Sequence, residues 1–138
     1  MTMKLISYSD GGARGNPGPA AIGIVICDHR GRVVEKRAEF LCKSTNNQAE
    51  YAALIRSLKI AKKLGAIELE CYLDSELVAS QAGGYYKTKN PVLKKMLSEL
   101  KKLESAFRKV EYIAIRRSQG MIPEADRILN KKLDEKEK

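Results

Sequence analysis

The spacing of hydrophobic and polar residues divides this chain into strands and helices. Five segments have the composition of β-strands, most of them with apolar residues at every second position; they are residues 3–10, 20–28, 32–42, 67–74 and 110–116. Four others have the apolar repeats or the end residues of helices; these begin at Thr45, Ser75, Pro91 and Pro123. The pattern predicts an α/β domain with the chain order βββαβααβα.

Local residues support the ends of these elements. Thr45 is followed three positions later by Gln48, which is the pattern of a helix capping box. Proline is favoured at the first helical position, which suits Pro91 and Pro123 as helix starts. The turn at residues 28–31 predicts an antiparallel hairpin of the second and third strands, and residues 134–138 are expected to fray.

Chain direction brings four acidic residues to one rim of the predicted sheet. Strands one and four should be parallel, so that Asp10 and Asp74, at their ends, share this rim. The first long helix begins at the same rim and carries Glu50 within its first two turns, and the last helix carries Asp126 in its first turn. Each acid alone is equally well explained as a cap, a turn residue or a solvated charge. Those explanations do not account for four acids on one rim.

Carboxylates that converge without neighbouring bases repel one another, and burying them unpaired costs free energy. A multivalent cation removes that cost, and hard oxygen ligands select Mg²⁺ or Mn²⁺. Several carboxylates can hold two such ions, an arrangement that suits hydrolysis of a phosphodiester. The four acids therefore predict a two-ion site.

Composition narrows the class of partner. The 138 residues are expected to form one domain, and the net charge of +9 favours nucleic acid. A lysine-rich surface suited to high temperature would give the same charge. Cys27, Cys42 and Cys71 lie in predicted strands and are expected to be reduced core residues of a cytoplasmic protein. No apolar run approaches the roughly 20 residues that span a bilayer, and no secretory leader is evident.

Four stretches together resemble type 1 ribonuclease H: SDGGARGNPGPAAIGIVI, STNNQAEYAALIRSL, LDSELVASQ and PEADRILNKKL. They occur in family order and are spread over nearly the whole chain. The resemblance implies a ribonuclease H-like fold, a five-stranded mixed sheet in the order 3-2-1-4-5 with strand 2 antiparallel, flanked by helices. It also implies metal-dependent endonucleolytic cleavage of the RNA strand of RNA–DNA hybrids, leaving 3′-hydroxyl and 5′-phosphate ends. We expect a monomer, and double-stranded RNA stays open as a second substrate.

The resemblance also assigns site residues. Its catalytic and metal-binding carboxylates fall on Asp10, Glu50, Asp74 and Asp126, with Asp10 bridging two ions. Its substrate contacts fall on Gly11, Asn16, Thr45, Asn46 and Asn47. Short amide and hydroxyl side chains both donate and accept hydrogen bonds, so they can recognise 2′-hydroxyls across a shallow groove. The alternative is that Thr45 or Asn46 caps the helix.

The chain departs from many bacterial relatives in lacking a basic protrusion between its central helices, and so resembles the compact archaeal-type branch. Lys87 and Lys89 are predicted to contact the DNA-strand backbone, with a solvated face as the alternative.

The loop before the last helix also lacks the histidine that many relatives carry. His29, in the strand two–three turn, is expected to be exposed and without a catalytic role. Arg117 is predicted to assist catalysis electrostatically, with Arg116 as the second choice.

Two other functions compete with this interpretation. A metal-dependent exonuclease of the broader fold typically begins with Asp-x-Glu, whereas Asp10 is followed by two glycines. A nucleic-acid-binding domain without activity is disfavoured by the presence of all four acids. The glycine-rich stretch also lacks the Gly-Lys-Ser/Thr ending of a nucleotide-binding P-loop.

Overall fold

The computed structural model describes residues 3–137 and confirms the predicted order of elements. The strands are β1 (Lys4–Ala13), β2 (Gly18–Asp28), β3 (Val33–Ser44), β4 (Glu68–Leu73) and β5 (Lys109–Ala114). The helices are α1 (Asn46–Lys63), α2 (Glu76–Ala82), α3 (Pro91–Glu104) and α4 (Ile122–Lys136). Between residues 3 and 137, no helix combines the length and the apolar composition that crossing a bilayer requires.

The five strands form one mixed sheet in the expected order, β3-β2-β1-β4-β5. β2 pairs antiparallel with both of its neighbours, while β1, β4 and β5 run parallel. Parallel neighbours need a crossover connection, which α1 supplies between the hairpin and β4 and α3 supplies before β5. The carboxyl ends of β1 and β4 therefore lie at one edge of the sheet.

The main core lies between the sheet and α1. Tyr51, Leu54 and Leu58 of α1 are fully buried, and α3 packs against the same helix with Leu93 and Leu100. The Tyr51 hydroxyl donates to Gln81 Oε1 at 2.6 Å, so this buried polar group has a partner. α4 contacts β1, β2 and β3.

Four details of the sequence prediction are wrong. β1 continues beyond Asp10 to Ala13 because it stays paired with β2, so Asp10 lies inside the strand instead of at its tip. Cys42 is exposed, whereas Cys27 and Cys71 are buried as expected. Asp126 is the fifth residue of α4, past the first turn, because that helix begins at Ile122.

The fourth correction concerns the expected frayed tail. Residues 134–136 belong to α4, and Arg14 holds this end of the helix with ion pairs to Asp134 at 2.7 Å and Glu137 at 2.8 Å. Lys138 lies outside the described residues. A contact across more than a hundred positions of the chain stabilises a segment whose local sequence suggested disorder.

Two glycines let helices approach the sheet at the site edge. A Cβ at Gly11 of β1 would overlap the backbone of Ala49 in α1, and a Cβ at Gly23 of β2 would overlap the carbonyl oxygen of Ala125 in α4. Gly23 is the ladder partner of Asp10, the residue before Gly11. Because successive residues of a strand point to opposite faces, α1 and α4 approach from opposite sides.

We predict that Gly23→Ala lowers the free energy of unfolding by about 1–3 kcal/mol, because backbone atoms must move to admit the added methyl group. Gly12→Ala is the matched control, since a Cβ there would lie 3.7 Å from Leu129, an ordinary contact. Urea denaturation of both variants measures the difference. Equal stability of the two variants would contradict the close approach.

Candidate active site

Asp10 and Glu50 form the buried part of the site. Asp10 is 2% exposed within β1, and its Oδ2 has no hydrogen-bond partner among the described residues. Glu50 is 9% exposed and extends from α1, with its Oε1 accepting a hydrogen bond from the backbone amide of Gly11 at 3.0 Å. The glycine thus both admits the helix and holds its carboxylate.

Asp74 completes a cluster of three acids. It directly follows β4, and its side chain is 18% exposed. One carboxylate oxygen from each of Asp10, Glu50 and Asp74 lies within 4.8 Å of the other two. The predicted convergence of these three residues is confirmed.

Asp126 lies on the wall of the same cleft but outside this close group. Its carbonyl oxygen and its Oδ1 both accept hydrogen bonds from the side-chain amide of Asn130, at 2.9 and 3.2 Å. The cleft has a volume of about 570 Å³. The residues that line it are Asp10, Gly11, Gly12, Ala13, Arg14, Asn46, Asn47, Glu50, Asp74, Ser75, Arg117, Asp126, Leu129, Asn130 and Leu133.

Burial and mutual repulsion raise the pKa values of the two inner acids. Burial is the larger cause for Asp10, followed by the negative charge of Glu50, and together they raise its pKa to about 9. Burial also raises the pKa of Glu50 to about 7, although the Gly11 amide opposes this shift by stabilising the carboxylate. The metal-free site therefore holds protons that ordinary carboxyl groups would have lost.

These observations fit a divalent cation better than an unoccupied charge cluster. The available donors are carboxylate oxygens, which hard cations such as Mg²⁺ and Mn²⁺ prefer. The buried Asp10 Oδ2 has no hydrogen-bond partner among residues 3–137, and a bound ion is one of the common explanations for such an atom. The residues present therefore fit a metal site, with Asp10, Glu50, Asp74 and Asp126 as candidate ligands.

The polar residues predicted to bind substrate also hold the cleft together. The backbone amide of Asn46 donates to Asn16 Oδ1 at 3.0 Å, and the Ala13 amide donates to Asn46 Oδ1 at 2.9 Å. Thr45 caps α1 through a reciprocal pair of hydrogen bonds with Gln48, which confirms the capping alternative. Asn46 and Asn47 are exposed and line the cleft, whereas Asn16 and Thr45 do not line it.

Of the two candidate arginines, Arg117 lines the cleft and Arg116 lies beside it. The Arg117 side chain is 75% exposed and its Nε lies 3.3 Å from Asp74 Oδ2. The loop is supported by Tyr8, which contacts Gly120 and stacks on Tyr72 with ring centroids 5.2 Å apart. Gly120 has φ +57°, a conformation that larger residues adopt at a cost.

Three predicted residues lie away from the cleft. Lys87 and Lys89 are exposed in the link between α2 and α3 and do not line it, so their contact with nucleic acid stays a prediction. His29 is exposed at the β2–β3 turn, as expected. Because β2 is antiparallel to β1, this turn lies beside the amino-terminal end of β1, at the opposite end of the strands from Asp10.

Two residues that line the cleft, Arg14 and Asn130, were not among the predicted site residues. Asn130 lies four positions after Asp126, a spacing that places both on one face of a helix, so a search for partners of the acids could have found it. Arg14 gives no local indication, since its contacts are with the far end of the chain.

Comparison with known proteins agrees with this geometry. The sequence profile of a family described as "Reverse transcriptase-like" matches residues 8–122. A crystal structure of RNase H1 from the halophilic archaeon Halobacterium salinarum superposes with a TM-score of 0.92 at 35% identity, covering 96% of this chain and 98% of that one. The chain belongs to the type 1 ribonuclease H family.

Two further relatives show a longer protein that contains a similar domain and a similar domain with bound nucleic acid. A bifunctional protein of Mycobacterium tuberculosis is 40% identical over 134 residues, which is 96% of this chain and 36% of that protein. The chain thus spans about a third of its length. LC11-RNase H1, isolated from compost, has been crystallised in complex with an RNA/DNA hybrid; it is 36% identical with a TM-score of 0.91, covering 97% of this chain and 99% of that one.

The raised pKa values predict how the stability of the metal-free ribonuclease H domain depends on pH. Between about pH 4 and pH 9 the folded state binds more protons at Asp10 and Glu50 than the unfolded state, so stability falls as pH rises. We expect Asp10→Asn, in the presence of chelator, to raise Tm by several degrees at pH 8–9 and to change it little near pH 4.

Differential scanning fluorimetry across this pH range measures the effect. Asp28→Asn is the control, because hydrogen bonds from the backbone amide and side chain of Arg32 lower the pKa of that carboxyl. It should therefore gain no stability as pH rises. An Asp10→Asn gain that is the same at pH 4 and pH 9 would contradict the raised pKa.

Proposed function

We propose that this chain is a metal-dependent endonuclease that hydrolyses the RNA strand of RNA–DNA hybrids and leaves 3′-hydroxyl and 5′-phosphate ends. The observation that carries the proposal is the cluster of Asp10, Glu50 and Asp74 within 4.8 Å, in which a buried oxygen of Asp10 has no hydrogen-bond partner in the described part of the chain. The hybrid complex of a relative 36% identical to this chain supports the choice of substrate.

Asp10, Glu50, Asp74 and Asp126 would hold two Mg²⁺ or Mn²⁺ ions. Divalent ions bound there supply an activated water and stabilise the charge on the departing oxygen. The protein contributes fixed positions for the ligands: Asp10 is held inside a strand, and Glu50 is held by the Gly11 amide. Ligands placed before the substrate binds need no costly rearrangement during the reaction.

The walls of the cleft supply groups suited to a nucleic acid duplex. Asn46 and Asn47 present amides at the amino-terminal end of α1, and the exposed Arg117 adds a positive charge. Amide side chains both donate and accept, as recognition of a 2′-hydroxyl requires. Gly11 lines the cleft and would lie beside the substrate, although the space left by its missing side chain is taken by Ala49 of α1. Asn16 and Thr45 would act by holding Asn46 and the helix end in place.

The test is incubation of the purified protein with labelled RNA–DNA hybrid, double-stranded RNA, double-stranded DNA and single-stranded RNA. Each substrate is tested with Mg²⁺, with Mn²⁺ and with excess chelator. We expect internal cleavage of RNA in the hybrid that requires a divalent ion, and product mass spectrometry should show 3′-hydroxyl and 5′-phosphate ends. Cleavage of double-stranded RNA would add a second substrate.

Asp10→Asn, purified in parallel, controls for contaminating nucleases and should have no measurable activity because the inner metal ligand is lost. Full activity in chelator would contradict the metal mechanism, and full activity of Asp10→Asn would contradict the site. Hybrid binding without cleavage in every metal would favour the binding-domain alternative. The monomeric state and the cytoplasmic location stay predictions.

Arg117 gives a separate prediction. Its guanidinium cannot act as a base at neutral pH, but beside Asp74 it is placed to stabilise charge on the scissile phosphate. We expect Arg117→Ala to lower kcat by about 10- to 1000-fold with a smaller change in KM. Steady-state kinetics on the hybrid measure both parameters.

His29→Ala is the matched control and should leave kcat unchanged, since this side chain lies at the other edge of the sheet. Normal turnover by Arg117→Ala, or a large loss in His29→Ala, would show that the loop is wrongly assigned.

A further inference from the structure

Asp126 differs from the other three acids in how it is held. Asp10 lies inside a strand, Glu50 is hydrogen-bonded to the Gly11 amide, and Asp74 directly follows β4. Asp126 extends from one partly exposed turn of α4, and its carboxylate has Asn130 as a hydrogen-bond partner. A surface carboxylate on a helix samples several rotamers unless such a partner restricts it.

We propose that Asn130 is a positioning residue for Asp126 and that Arg14 sets the orientation of its amide. The Asn130 Nδ2 donates to both the Asp126 carbonyl oxygen at 2.9 Å and Oδ1 at 3.2 Å. These two contacts fix the side chain against its own helix. With Oδ1 engaged, the second carboxylate oxygen of Asp126 is left to ligate a cation.

Arg14 makes the reverse orientation of this amide unfavourable. Its Nη2 lies 3.4 Å from Asn130 Oδ1 and 3.4 Å from the Asn130 carbonyl oxygen. A guanidinium has only donors, so the amide oxygen must face Arg14 and the NH₂ group must face Asp126. The two contacts of Arg14 with Asn130 are long, and Arg14 is held mainly by its ion pairs with Asp134 and Glu137.

The arrangement connects the two sides of the cleft. Arg14 directly follows β1, the strand that carries Asp10, and it forms an ion pair with Asp134 of α4, the helix that carries Asp126. Partners that orient metal ligands typically change metal affinity or activity by about 10- to 100-fold when removed. The inference rests on the proposed function, because it assigns Asp126 as a ligand.

The test measures Mn²⁺ binding to the substrate-free protein by isothermal titration calorimetry. We expect Asn130→Ala to weaken Mn²⁺ binding by about 10-fold or more and Arg14→Ala by a smaller factor. The Tm in chelator should change little for Asn130→Ala, whereas the rise in Tm on adding Mn²⁺ should shrink. With hybrid, kcat should fall at fixed Mg²⁺ while KM stays within about twofold.

The double variant Asp134→Asn/Glu137→Gln separates positioning from simple anchoring of the helix. It removes the ion pairs that hold Arg14 but keeps Arg14, Asn130 and Asp126, so its Mn²⁺ affinity should fall by no more than that of Arg14→Ala. A loss of affinity as large as that of Asn130→Ala would overturn the positioning role in favour of anchoring. Unchanged Mn²⁺ affinity in Asn130→Ala would overturn it directly.

These outcomes are distinguishable from failure of the proposed function. An unsubstituted protein that binds Mn²⁺ but cuts no hybrid would overturn the proposed activity, and the titrations would still decide the role of Asn130. An unsubstituted protein that binds no Mn²⁺ would overturn both.

Discussion

The close approach of two helices to neighbouring strands is the constraint on which the rest of the site depends. α1 reaches the sheet where β1 has Gly11, and α4 reaches it where β2 has Gly23. A side chain at Gly11 would hold α1 and its Glu50 away from the sheet, and a side chain at Gly23 would do the same to α4 and its Asp126. Both glycines are neighbours of Asp10: Gly11 follows it in the sequence, and Gly23 pairs with it across the sheet. Backbone proximity thus brings carboxylates from three separate elements to one strand.

This geometry opposes stability in the metal-free protein. Two of the acids are buried, and this burial is the main cause of the raised pKa values of Asp10 and Glu50. The negative charges of neighbouring acids, Glu50 beside Asp10 and Asp74 beside both, add to it. The surrounding structure offsets the cost with a packed core around Tyr51 and Leu54 and with the capped start of α1. Functional sites are where proteins commonly retain such destabilising arrangements.

Much of this could be predicted from the sequence, because the decisive features are local. Alternating strands, the Thr45 capping box and chain direction were enough to place Asp10, Glu50 and Asp74 on one rim. What failed depended on distant contacts. Asp10 was placed at a strand tip because the pairing of residues 11–13 with β2 cannot be seen locally. The end of α4 was expected to fray because its partner, Arg14, is distant in the sequence.

The amide side chains around the cleft show why a residue's role could be only partly predicted. Their types suit both recognition of a sugar hydroxyl and bonding to backbone, and the structure uses Asn16 and Thr45 for the second purpose. Asn46 bonds to the backbone as well, since its oxygen accepts from the Ala13 amide, but its side chain also lines the cleft. Side chains that are already hydrogen-bonded to the fold lose little conformational freedom when a ligand binds to them. In the proposed function, a rigid polar wall beside a cluster of carboxylates would separate recognition of the duplex from the chemistry. Neutral and positive groups would hold the polyanion, and the acids would remain available for cations.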